Sequence, residues 1–211
     1  MVRKPAGRVS GNQLQKDLGK YRLRAIELGA TDAKVITTDT VLIDERVVAK
    51  CTYPKCNWYG TNANCPPYAM APDRVRKVVD NFKYGIFIKL EVPSHETAGT
   101  ETKKLAGSSF RKVAEIIAKI EAQAFYDGYY LAVGFGGGSC KSLLCPDKDC
   151  QALLPGQACR HRLMARSSME AVGMDCYRMA ASVGWDIYPI GHETSPEEVP
   201  YGLRLGLVLI A

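Results

Sequence analysis

One cysteine pattern occurs twice in this chain. Cys51, Cys56 and Cys65 are spaced C-x4-C-x8-C, and Cys145, Cys150 and Cys159 repeat that spacing 94 residues later. At the same offset Met70 maps onto Met164, Ala71 onto Ala165 and Val78 onto Val172. Three thiols within reach of one point, formed twice, is what a metal centre requires. The same residues could form a disulfide framework, but the chain has no secretory signature. Its basic start, Met-Val-Arg-Lys, is followed by no apolar h-region. The expected compartment is the cytoplasm, where clustered thiols stay reduced and usually bind metal.

Cys140 adds a fourth thiol upstream of the second triplet, giving C-x4-C-x4-C-x8-C. Four thiolates suffice for a [4Fe–4S] cluster or a tetrahedral zinc. Three features favour iron–sulfur. Zinc sites typically use closer pairs, the triplets suit a cube with separated corners, and Gly136, Gly137 and Gly138 sit beside Cys140. Glycine lets backbone N–H groups approach sulfur closely and tune a cluster. The Cys65-Pro66 pair is similar to the Cys-Pro that ends ferredoxin cluster loops. Zinc remains the alternative.

The first triplet has no fourth cysteine, because Arg46 stands at the position equivalent to Cys140. A cluster there has either an open iron or a distant fourth ligand. Cys176 is the leftover thiol, and its helical stripe with Met169, Val172, Met179 and Val183 places it in the core. Arg160 and Arg166 flank the second triplet and suit either an anionic ligand or cluster charge. His161 could donate to a sulfur, and His192 could shuttle a proton from a lid at 191–201. Trp58 and Tyr59 are expected to shield a cluster.

The remaining sequence frames these loops with two similar halves, about 11–93 and 103–211, in one domain. Helices are expected at Gln13 to Leu28, Pro72 to Phe82, Lys103 to Tyr126 and from Ser167, where Glu170 completes a capping box. Strands are expected at Lys34 to Thr38, Tyr84 to Val92, Tyr129 to Val133 and Leu203 to Ile210. This is an α/β chain, with α+β as the variant, in which parallel crossovers share a mixed sheet with packed helices. The net charge of +6 is scattered rather than massed, which argues against nucleic acid. The longest apolar run is too short to span a bilayer. The partners expected are a redox protein and, in the alternative, a small anionic ligand.

The segments Cys65-Pro66-Pro67-Tyr68, Gly138-Ser139-Cys140 and Cys159-Arg160-His161, with Ala165-Arg166-Ser167-Ser168-Met169-Glu170-Ala171 and Gly173, carry a further signal. They resemble a family of predicted metal-binding proteins of unknown function, found mainly in anaerobic bacteria and archaea. The resemblance implies three metal-binding cysteines in the first half, Cys51, Cys56 and Cys65. In the second half it implies four: Cys140, Cys145, Cys150 and Cys159. It implies a metal but no particular reaction. The leading expectation is an electron carrier with one or two [4Fe–4S] clusters. The others are an enzyme with an open iron and a zinc-stabilised interaction module.

Overall fold

The structure is a computed structural model that describes residues 2–5, 9–98, 102–191 and 193–211. His192 lies outside the described residues. The first half contains α1 (Gly11–Glu27), β1 (Asp32–Thr37), α2 (Glu45–Thr52), α3 (Pro72–Val79) and β2 (Tyr84–Val92). The second contains α4 (Thr102–Tyr126), β3 (Val133–Phe135), α5 (Cys140–Leu144), α6 (Cys176–Ser182) and β4 (Gly202–Leu209).

Local chemistry accounts for most of these boundaries. Ser10 caps α1 by accepting from the Gln13 N–H at 3.3 Å, and Gly29, at φ 104°, turns the chain out of it. Pro72 sits at the first turn of α3, where its missing N–H costs nothing. The expected helix from Ser167 does not form. Ser168, not Ser167, accepts from the Ala171 N–H, and only a 3-10 turn, Glu170–Val172, follows. Gly173 at φ 88° then breaks the chain, and Asp175 caps α6 by accepting from the Arg178 N–H. β3 also begins later than alternation alone suggests, because Tyr130 and Leu131 lie exposed before it.

The four strands form one sheet in the order β1-β2-β4-β3, and every neighbouring pair is antiparallel. This corrects the expected mixed sheet with parallel crossovers. The connection from β1 to β2 holds two helices and the cysteine segment rather than a single crossover helix. Thr37 pairs with Tyr84, so β2 starts at the end of the sheet where β1 stops, and the connection does not cross it. The architecture is therefore a mixed α and β fold on an antiparallel sheet.

Helices cover both faces of that sheet. α1 and α4 pack over Ile86, Ile88, Val208 and Ile210 on one side. Phe87, Leu205, Leu207 and Leu209 face the other, with Val75, Val79, Met179 and Trp185. Neighbouring residues of β2 thus serve opposite cores, as the pleat requires. Lys89 is buried too, paired to Glu91 at 2.7 Å and lying over the Trp185 ring. No helix among the described residues is long and apolar enough to cross a membrane.

Candidate metal centre

All eight cysteines are free thiols, and seven of them line two cavities. Cys140, Cys145, Cys150 and Cys159 surround a cavity of about 270 Å³. Cys51, Cys56 and Cys65 surround another of about 240 Å³. Cys51 is carried by α2 and Cys140 opens α5, two short helices inside segments that sequence reasoning treated as loop. Ser139 holds α5 in place by accepting from the Lys141 N–H at 3.3 Å. Lys141 then closes the following loop, with its ammonium donating to the carbonyls of Cys145, Pro146 and Lys148.

The two cavities differ in chemistry. The four-cysteine cavity also presents Lys141, Arg160, His161 and Arg162, and no acidic side chain lines it among the described residues. Such walls offset the negative charge of several thiolates. N–H groups already reach two of its sulfurs. The Asn64 side chain donates to Cys140 Sγ and the His161 backbone to Cys159 Sγ, both at 3.4 Å. Burial pushes the Cys140 thiol up to about 11, the Asn64 bond opposes that, and neighbouring Cys65, Cys150 and Cys159 add to it.

The three-cysteine cavity is walled by Trp58, Tyr59 and Phe110, and its other polar groups are Ser139, Ser168 and Glu170. Burial raises the Cys51 thiol, and the nearby Cys56, Cys65 and Glu170 raise it further. Glu170 is a site residue that sequence reasoning assigned only to a helix cap. Its serine spacing gave that signal, and nothing local tied it to a cysteine segment more than a hundred positions earlier.

The cavities adjoin. Cys65 Sγ lies 3.4 Å from Ser139 Oγ, and Ser139 is the residue before Cys140. Asn62, almost completely buried, donates to Ser139 Oγ at 3.2 Å and faces Cys140 Sγ at 3.5 Å through its Oδ1. Asn62, Ala63 and Asn64, from the first cysteine segment, line the second cavity.

The other candidates separate clearly. Arg160 lies at the four-cysteine cavity and donates to the Asp149 carbonyl at 2.6 Å. Arg166 is held by a bidentate pair to Glu121 on α4, so it braces the segment. Arg46 is exposed and forked onto Asp44, holding that carboxyl down to about 2. Gly138, at φ 71°, lines the three-cysteine cavity, while Gly136 and Gly137 lie against Ile117 and Phe110 of α4. Cys176 is in the core, its thiol donating to the Met174 carbonyl at 3.7 Å, and burial raises it well above its ordinary range. His95 is exposed.

The donor set is soft and suits a thiolate-bound metal or metal cluster, with four thiols ringing one cavity and three the other. Among the described residues no three His, Cys, Asp or Glu side chains converge closely enough to mark a metal site by themselves.

A family model described as a predicted metal-binding protein, DUF2284, matches residues 34–210. No curated protein and no solved structure matches the chain.

Proposed function

The chain belongs to this family of predicted metal-binding proteins, and on that premise we propose that it is an iron–sulfur electron carrier with a [4Fe–4S] cluster at each cysteine-lined cavity. The observation that carries the reading is the pair of adjoining cavities ringed by seven thiols. When bound, such clusters supply one-electron transfer.

The protein's own residues set the conditions for it. Lys141, Arg160 and Arg162 offset thiolate charge at the four-cysteine cavity. The N–H groups of Asn64 and His161 stabilise the sulfurs they reach, which favours the reduced state. Trp58 and Tyr59 exclude water from the three-cysteine side. Exposed Leu154 and Leu163 lie close in sequence to the exposed Arg160 and Arg162. An acidic redox protein with an apolar centre would suit that surface, in an anaerobic cytoplasm.

The first cavity supports a second reading. It offers three thiols and Glu170, so an iron there would have one position left to a carboxylate or a small anionic substrate. An open iron would make the protein an enzyme rather than a carrier.

Iron and acid-labile sulfide per chain, measured on anaerobically purified protein, test the proposal. About eight irons is the expected result for two clusters and about four for one. Colourless protein carrying stoichiometric zinc would overturn it and leave a zinc-stabilised interaction module. A change in the EPR spectrum of reduced protein on adding small anions would favour the enzyme over the carrier.

A further inference from the structure

A third cavity, of about 210 Å³, lies beside the three-cysteine one and shares Phe110 and Glu170 with it. Its floor is Arg204 on β4. This arginine is more than nine-tenths buried, yet among the described residues it forms no ion pair. Its Nε donates to Ser109 Oγ at 3.3 Å and its Nη2 to the Glu96 carbonyl at 3.0 Å. Its guanidinium stacks on Phe110, with 4.1 Å to the ring centroid.

Those contacts fix the guanidinium plane but use only part of its fork. Arginine has five N–H donors, and its hydrogen bonds among the described residues engage two nitrogens. Burial pulls the Arg204 pKa down from its ordinary value, and Glu96 and Glu170 offset part of that from beyond ion-pair distance. A buried cation with no ion-pair partner among the described residues is costly, and an anionic ligand in the cavity would offset that cost.

We propose that the Arg204 cavity binds a small carboxylate, its carboxylate group on the guanidinium and its body among Ile187, Ile190 and Leu203. The fork geometry suits a planar carboxylate bidentately. The volume lies below the roughly 300–1,000 Å³ typical of pockets for drug-sized ligands, which limits the ligand to a few heavy atoms. Glu170 at the rim is a hydrogen-bond acceptor, so a hydroxyl on the ligand improves the fit. The site is independent of which metal the thiols hold.

Calorimetric titration of the anaerobically purified, metal-bearing protein with glycolate, acetate and inorganic phosphate tests this. Glycolate should bind more tightly than acetate, and phosphate more weakly than either. Arg204→Lys should weaken glycolate about tenfold or more, as loss of a bidentate charged pair does. Ile190→Trp, which fills the cavity from its loop and leaves Arg204 in place, should abolish binding even where the arginine variant folds poorly. Metal content should be unchanged in both. Absence of carboxylate binding to protein with full metal would overturn the site and leave the metal assignment standing. Glycolate binding unaffected by Ile190→Trp would overturn it too, and tighter phosphate binding would overturn the carboxylate assignment.

Discussion

Ser139 serves three neighbours at once. It caps α5, accepts from Asn62 and lies against Cys65 Sγ. Ser139→Ala leaves the Asn62 amide and the Lys141 N–H without that acceptor. The expected cost is about 1–2 kcal/mol in a denaturant titration, the size of one lost cap or buried bond. The cysteines separate at the same scale. Cys145→Ala and Cys159→Ala each remove a thiolate from the four-cysteine cavity, with no carboxylate beside it among the described residues, so each should lower iron per chain. Cys176→Ala should leave iron unchanged and cost about 1–2 kcal/mol, as a small core truncation does. Loss of about half the iron in Cys176→Ala would instead make that thiol a ligand, as in two-cluster ferredoxins with crossed ligation.

Between elements, α4 approaches the sheet closely. Ile117 of α4 lies over Gly134 on β3 and Gly206 on β4, where an added Cβ would fall 2.5 Å from Ile117 Cδ1 at Gly206. Gly206→Ala must therefore push the helix outward. It should cost about 1–3 kcal/mol by overpacking, read from the shift in urea midpoint. The other end of α4 is tied to α1 by polar bonds. Tyr21 donates to Asp127 at 3.0 Å and Tyr129 to Asp17 at 2.8 Å, and Arg3 joins Asp17 at 2.8 Å. Burial first, and then these bonds, raise both tyrosines far above their ordinary range. The unfolded chain releases those protons from about pH 10 upward, while the folded one retains them. Stability is therefore full below about pH 10 and falls as pH rises beyond it. Tyr129→Phe should flatten that alkaline decline in the urea midpoint.

Elements with long apolar periodicity were readable from sequence. β2 spans Tyr84–Val92 as alternation indicates, and α1, α3 and α4 lie within a few residues of expectation. Strand pairing was not readable, because period-two alternation is the same whether a neighbour runs parallel or antiparallel. α2 and α5 escaped because each is short and built around a cysteine rather than an apolar stripe. The cysteine groups follow from spacing, whereas Glu170 and Arg204 reach their cavities only through tertiary packing. Arg204 sits in a run of leucines that reads as plain core strand.

At the scale of the molecule, the two cysteine segments are not independent modules. β2 and β4 pair over the centre of the sheet, from Gly85↔Leu209 to Val92↔Gly202, so each half supplies the other's inner strand. The second cavity is likewise closed by residues 62–64 of the first segment. Asn62 is the test of that dependence. It is almost completely buried, and its side chain joins Ser139, Cys140 and the Asn64 N–H. Asn62→Ala frees the 62–64 turn and withdraws the group facing Cys140. It should cost about 2–3 kcal/mol, as several buried bonds lost together do. More tellingly, iron should fall at the four-cysteine centre, although Asn62 lies in the three-cysteine segment. Adding Cys145→Ala should then remove little further iron, since both changes act on one centre. If the two losses add in full, Asn62 supports the other centre, and the second cavity does not depend on the first segment to hold its metal.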